Sequence, residues 1–274
     1  QKSRRDTQLR YQGNRRKSKK DSPKMNLLEE RLQQAFTPLD YLVDRIGELT
    51  GVSERDQIQM IVCVLVAYPL GWIFYLIRNV TLRKLFGTGV GVFLQVYMFG
   101  SSIWLPFVST TISYLLMTLL PRRKQVTFVF AYALGLNSVL HVYRMYTDYG
   151  GWNMDISLIQ MILTLKMISS SFSYKDGSYE PKELLPDQAR LAIRDTPSYF
   201  DYLGFMFFFS VCIVGPSTEY KDYEDTVYQR GAYTGCPLPI LPSLFSLVYS
   251  FFCIGVMLTL MPRFPIEYLV TEEY

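Results

Sequence analysis

The sequence LFGTGVGVFLQVYMFGSSIWLPFVSTTISYLLMTLL, from Leu85 to Leu120, contains no charged side chain. An α-helix needs roughly 20 apolar residues to cross a bilayer core of about 30 Å, and this run is nearly twice that long. Gly100, Ser101 and Ser102 interrupt the apolar residues near the middle of the run. The stretch therefore predicts two consecutive membrane-spanning helices that are joined at these three residues.

Further uncharged runs lie on both sides of this stretch: Gln57–Ile77, Gln125–Tyr143, Tyr202–Thr218 and Ala232–Pro262. The last run contains Pro237, Pro239 and Pro242, so we expect its helix to begin near Leu241. A shorter apolar segment, Ile156–Tyr174, is interrupted by Lys166. The pattern predicts five or six crossings and an all-α, polytopic transmembrane helical bundle, which makes this an integral, multi-pass membrane protein.

The residues before the first run divide into two segments. Residues 1–24 hold ten of the 28 lysines and arginines and predict a basic disordered tail, with a membrane-surface or nucleic-acid arm as the alternative. Residues 25–56 predict an amphipathic helical segment, in which Thr37 caps a helix whose first residue is Pro38. This helix could lie in the headgroup region or pack on the bundle. Residues 57–274 are expected to form the multi-span membrane domain.

Basic residues near the helix ends predict the orientation. One group, Arg78, Arg83 and Lys84, follows the first span, and another, residues 122–124, follows the third. Short basic loops tend to stay in the cytoplasm, so both groups are expected on that side and the N-terminus in the lumen.

Two other patterns exclude common kinds of site. The four cysteines are widely spaced, so neither a disulfide framework nor a zinc site is indicated, and no metal site is expected. The glycines of Gly87-Thr-Gly-Val-Gly91 are not followed by the Gly-Lys-Ser/Thr of a phosphate loop. They are interpreted as small residues that let two helices approach closely.

Ionisable residues are concentrated between His141 and Gly177, among long apolar segments. Arg144 and Asp148 are four residues apart and can pair on one helix face, which Gly150-Gly151 would end. Asp155 is expected to cap the next helix, and Gln160 and Lys166 follow it among Leu, Ile and Met. An ionised group in hydrocarbon is unfavourable by a few kcal/mol or more, so these residues predict either an ion-paired elbow or the polar lining of a ligand tunnel.

A second polar cluster follows the Tyr202–Thr218 run. Gly215-Pro216 is expected to end that helix, and the acidic, tyrosine-rich turn after it contains Tyr220 and Tyr223. These tyrosines are further candidates for substrate binding. Tyrosines are also common at the bilayer surface because their rings are amphipathic, so an interfacial role remains the alternative.

Five motifs in one order carry a resemblance to a known family: DYGGWNMD (148–155), QMILTLK (160–166), YKDG (174–177), PSYFDY (197–202) and GPSTEYKDY (215–223). Together with Tyr68-Pro-Leu70, they resemble the lysophospholipid acyltransferases of the membrane-bound O-acyltransferase (MBOAT) family. The resemblance covers about Gly51 to Met261 and corresponds to the N-terminal part of the family's fold.

The resemblance implies transfer of a fatty acyl group from acyl-CoA, as co-substrate, to the hydroxyl of a lysophospholipid inside the membrane of the endoplasmic reticulum. It implies no bound cofactor and no nucleic-acid partner. The family's catalytic histidine and asparagine lie in a C-terminal region with a Trp-His-Gly type motif, which this sequence does not contain. His141 and Asn153 match neither residue, so both catalytic residues are expected beyond Tyr274 and the 274 residues alone are expected to be inactive.

Two other classes stay open at this point. A transporter would also place charge within the membrane, but it predicts broken helices repeated in two halves, and no internal repeat is evident. A catalytically inactive membrane scaffold or binding protein is the stronger alternative.

Overall fold

The computed structural model describes residues 27–50, 55–149, 154–211, 215, 217–235, 240–260 and 263. Across these ranges the regular structure is helical, which confirms the all-α fold. We number the helices α1 (Leu27–Thr50), α2 (Arg55–Leu76), α3 (Val80–Phe99), α4 (Trp104–Leu119), α5 (Gln125–Thr147), α6 (Ser157–Asp176), α7 (Pro186–Leu191), α8 (Tyr199–Met206), α9 (Tyr220–Tyr228) and α10 (Ile240–Leu260).

Four helical segments in the described part of the chain are long and apolar enough to cross a membrane: Arg55–Leu76, Val80–Leu119, Gln125–Thr147 and Ile240–Met257. The second is divided into α3 and α4 by a 3₁₀ turn over Gly100–Ile103, where Gly100 has a φ of +58°. The predicted break in the Leu85–Leu120 run is therefore confirmed. The expected start of the last span near Leu241 is confirmed as well, since α10 begins at Ile240.

The predicted crossing at Tyr202–Thr218 is wrong. Helix α8 ends at Met206, before the Gly215-Pro216 that was expected to end it, and a turn follows over residues 207–211. Helix α9 then leads back to the end of α3 from which α8 started: Lys84 bonds to Asp201 of α8 and to Tyr228 of α9. Helix α8, the turn and α9 are called the re-entrant unit below.

The N-terminal helix is longer than expected. It begins at Leu27, ahead of the predicted cap at Thr37, and Pro38 lies inside it. Helix α1 packs on α2 and α3 through an apolar cluster that includes Leu39 and Val43. Asp40 fixes this arrangement because it accepts hydrogen bonds from Arg55 at 2.7 Å and from the Tyr97 hydroxyl at 3.1 Å. Residues 1–24 lie outside the described residues.

The main core surrounds the re-entrant unit. Tyr202, Phe205, Met206 and Phe207 are fully buried, together with Ile159, Leu163 and Met167 of α6. Helix α10, by contrast, exposes apolar side chains around its whole circumference, as a helix in contact with lipid does.

Candidate functional site

The re-entrant unit lies between α3 and α4. Its first helix runs parallel to α3, since Asp201 contacts Lys84 at one end and Phe207 lies against Gly91 at the other. It runs antiparallel to α4: the Tyr114 hydroxyl donates to Pro197 O at 3.0 Å, and the rings of Phe107 and Phe207 stack at 4.4 Å. Gly91 lies roughly 16 Å along α3 from Val80, so the turn reaches about half of the 30 Å hydrocarbon thickness.

Lys166 stabilises the deep end of the re-entrant unit. It is fully buried in the middle of α6, and its ammonium donates to Phe205 O at 2.9 Å and to Met206 O at 3.2 Å. These carbonyls belong to the last turn of α8, where backbone acceptors lose their helical partners and the helix dipole favours a cation. Irregular backbone at membrane depth is tolerated only where protein groups satisfy it, and Lys166 provides this function.

The glycines of α3 provide the space for the turn. A Cβ atom at Gly91 would overlap Phe207 O, and one at Gly87 would meet the Phe208 ring at 2.8 Å. Phe209 N–H also donates to Gly87 O at 3.3 Å. The interpretation of these glycines as close-approach residues is confirmed for Gly87 and Gly91, whereas Gly89 faces open space.

Tyr220 and Tyr223, two of the residues proposed from the sequence, pack around Phe205 near Lys166. Their ring centroids lie 5.4 and 5.8 Å from that of Phe205, and the Lys166 ammonium lies 5.0 Å from the same ring. The Tyr223 hydroxyl has no hydrogen-bond partner among the described residues and lies against Gly204. Both tyrosines are therefore core residues in this conformation.

Asp148 and Asp155 lie elsewhere, at the elbow between α5 and α6. Asp148 ends α5 with its N–H donating to Arg144 O at 2.8 Å. Arg144 donates to Asp155 Oδ1 at 3.3 Å, and Asp155 also accepts from the N–H and hydroxyl of Ser157. The helix starts one residue later than predicted, but Asp155 satisfies its first turn as expected. Gly150-Gly151 falls outside the described residues.

Gln160 lies between these two groups, in a buried polar layer shared by α4 and α6. Its side-chain oxygen accepts from the Ser109 hydroxyl at 3.0 Å. Within the described structure, Gln160 Nε2 and the hydroxyls of Thr110 and Thr164 are buried without a hydrogen-bond partner. Unsatisfied buried groups are unfavourable by about 1–3 kcal/mol each, so this layer is suited to bind water or a polar ligand group.

Sequence reasoning missed several residues that form the site. Arg83 is buried and donates to Ile77 O and Val227 O, which joins the ends of α2 and α9. The Tyr202 hydroxyl lies 3.0 Å from that of Ser113 on α4. Glu219 accepts from Ser169 of α6. The one available signal was that Arg83 and Lys84 follow the first span closely, but it was used only for orientation.

An apolar cavity of about 620 Å³ lies beside the re-entrant unit. Helix α2 forms one wall, and the turn, α9 and the start of α10 form the others. Its lining is rich in aromatic side chains: Tyr68, Trp72, Phe74, Tyr75, Phe209 and Tyr233. Its volume falls within the range of about 300–1,000 Å³ that is typical of small-molecule sites.

The described residues contain no group of three His, Cys, Asp or Glu side chains that could hold a metal ion. His141 lies near the end of α5, on the elbow side of the bundle. Gln125, at the other end of α5, donates to the Ser171 carbonyl near the end of α6 at 2.7 Å, so His141 lies at the end of α5 away from this contact.

Residues 142–274 match the sequence profile of the membrane-bound O-acyltransferase family. Membrane-bound glycerophospholipid O-acyltransferase 2 of Gallus gallus is 29% identical over 80% of this chain and 46% of its own length. Lysophospholipid acyltransferase 5 of Homo sapiens is 27% identical over 89% of this chain and 50% of its own length. Lysophospholipid acyltransferase of Schizosaccharomyces pombe is 29% identical over 68% of this chain and 36% of its own length. The chain spans about half the length of the curated relatives it matches, or less.

Proposed function

This chain belongs to the membrane-bound O-acyltransferase family, whose profile matches residues 142–274, and we propose that its function is that of a lysophospholipid acyltransferase. The observation that carries this proposal is that relatives named for lysophospholipid or glycerophospholipid acylation align with 68–89% of the chain. The predicted branch of the family agrees with these names. The proposed location is the endoplasmic reticulum membrane.

The proposed reaction transfers a fatty acyl group from acyl-CoA to a lysophospholipid hydroxyl. The thioester C–S bond breaks, an ester C–O bond forms, and the hydroxyl proton must pass to a base and then to the leaving thiolate. A hydroxyl near neutral pH requires such a base within hydrogen-bond reach, and histidine is the most common choice. His141 is the single histidine of the sequence and lies on the elbow side of the bundle, so we do not assign it this role.

The role proposed for the described residues is to build and enclose a substrate chamber. Lys166, Gly91 and the buried tyrosines fix the re-entrant unit at half the membrane depth. The unpartnered groups near Gln160 offer hydrogen bonds to a polar part of a substrate. We also propose that the 274 residues alone do not catalyse the transfer.

The test measures transfer of a radiolabelled acyl group from acyl-CoA to a panel of lysophospholipids with different headgroups in membranes. One sample contains the product of the natural gene, a second contains the 274 residues alone, and a third contains an unrelated membrane protein. We expect the natural product to incorporate more label than the unrelated membrane protein, and the 274 residues alone to incorporate no more than that protein. Absence of transfer by the natural product to any lysophospholipid headgroup would refute the acyltransferase proposal, and full activity of the 274 residues would refute the view that they lack the base.

A further inference from the structure

We propose that the apolar cavity beside the re-entrant unit binds one acyl chain of a single-chain amphiphile, and that Gly71 in its wall sets how much of the chain can enter. The chain end would lie near Val64 and the polar head near Gln229. The choice of the two candidate amphiphiles, a lysophospholipid and an acyl thioester, rests on the proposed function, whereas the fit of one acyl chain rests on the cavity alone.

The dimensions of the cavity fit one chain. Its wall on α2 extends from Val64 to Tyr75, which is about 17 Å at 1.5 Å per residue. One leaflet of the bilayer core is about 15 Å thick, half of the 30 Å total, and an acyl chain of a membrane lipid has that reach. The cavity is therefore long enough for most of one chain.

The polarity of the cavity gives the direction of binding. Thr226, Gln229 and Tyr233 belong to the end of α9 and the turn after it, next to the ends of α2 and α3. At the opposite end of the α2 wall, Val64 and Ala67 are apolar, and the Tyr68 hydroxyl is the polar group beside them. A polar head is favoured at the Gln229 end, because that end offers it more hydrogen-bonding groups.

Gly71 is the position at which the cavity can be narrowed without a clash. A Cβ atom there would have no atom within 4 Å, although the residue lines the cavity. Gly71 lies inside α2, where any other residue except proline favours the helix more than glycine does. Gly89 on α3 provides a matched control, since its Cβ would also meet nothing within 4 Å and it does not line the cavity.

The experiment uses the purified 274-residue chain in phosphatidylcholine nanodiscs. The probe is lysophosphatidylcholine with a diazirine at the end of its acyl chain, and cross-linked peptides are mapped by mass spectrometry. We expect labelling at Ala67, reduced at least fivefold by Gly71→Trp and changed less than twofold by Gly89→Trp. Unlabelled lysophosphatidylcholine and palmitoyl-CoA are then added separately as competitors. The one that reduces the cross-linking at the lower concentration is the ligand whose acyl chain the cavity prefers.

Two results would overturn the inference. One is labelling at Ala67 that Gly71→Trp leaves unchanged, and the other is labelling of Ala67 that is no stronger than that of the exposed residues Val64, Ile73 and Leu76. If Gly71→Trp does not elute as a single species, Gly71→Leu gives the same test with a smaller side chain. Labelling requires no turnover, so the two proposals fail separately. Acyl transfer by the natural product without labelling in the cavity would refute only this inference. Labelling in the cavity without acyl transfer by the natural product would refute only the proposed function.

Discussion

Replacement of Lys166 by methionine is expected to destabilise the bundle by about 3 kcal/mol. The change keeps an unbranched side chain, shorter by one atom, but removes the donor to Phe205 O and Met206 O. Hydrogen bonds from a charged group contribute about 1.5–3 kcal/mol each, and a buried carbonyl left without a donor is unfavourable by about 1–3 kcal/mol. Relief of the buried charge offsets part of this loss, because an ion in the interior also carries a desolvation penalty.

The assay is thermal unfolding of the detergent-purified chain, followed by loss of the monodisperse peak. For a chain of this size, about 3 kcal/mol corresponds to a decrease in Tm of roughly 6–12 °C. Lys175→Met is the control, since Lys175 lies at the end of the same helix and is only partly buried. A Lys166→Met variant that unfolds within 2 °C of both the parent and this control would show that the ammonium does not support the end of α8.

Three other variants test separate parts of the site. Gly91→Ala should lower the Tm by several degrees because its methyl group overlaps the turn of the re-entrant unit, whereas Gly89→Ala should not, and equal Tm values would contradict the packing. Tyr223→Phe should leave the Tm unchanged or raise it slightly, because it removes a buried hydroxyl that has no hydrogen-bond partner among the described residues, and a loss of several degrees would contradict this environment. Asp155→Asn should lower stability by about 1 kcal/mol or less, since its pair with Arg144 is partly exposed, and a loss above about 3 kcal/mol would assign it a larger role than the elbow provides.

The membrane-spanning helices could be predicted because hydrocarbon selects for a local property, a long uncharged run. The same criterion failed at Tyr202–Thr218. This run is apolar because Phe205 and Phe207 are buried against other helices, and composition does not distinguish a protein interior from lipid. Two signs of the re-entrant unit were present in the sequence, the close-spaced glycines of α3 and the lysine in the middle of α6, but their partners are distant in the chain.

The candidate site was predicted in parts. Lys166, Tyr220 and Tyr223 do converge, yet the sequence could not show that they meet around Phe205 rather than around a ligand. Asp148 and Asp155 belong to a separate elbow because α6 places Asp155 about 16 Å from Lys166 along its axis. Helical spacing predicts which residues share a face, but contacts between helices such as that of Lys166 with α8 depend on the whole fold.

A segment that enters the membrane and leaves by the same face alters the sidedness of everything that follows it. If Tyr202–Thr218 were a crossing, the start of α8 and the whole of α9 would lie at opposite faces of the membrane. Lys84 contacts both Asp201, near the start of α8, and Tyr228, at the end of α9, so the two lie at the same face. Helix α10 therefore begins on the face where α8 begins, and its direction across the bilayer is the reverse of the one that a hydropathy count assigns. A topology map made with glycosylation tags should therefore place Tyr228 and the start of α10 on the face where α8 begins, opposite to the face that the hydropathy count assigns to them.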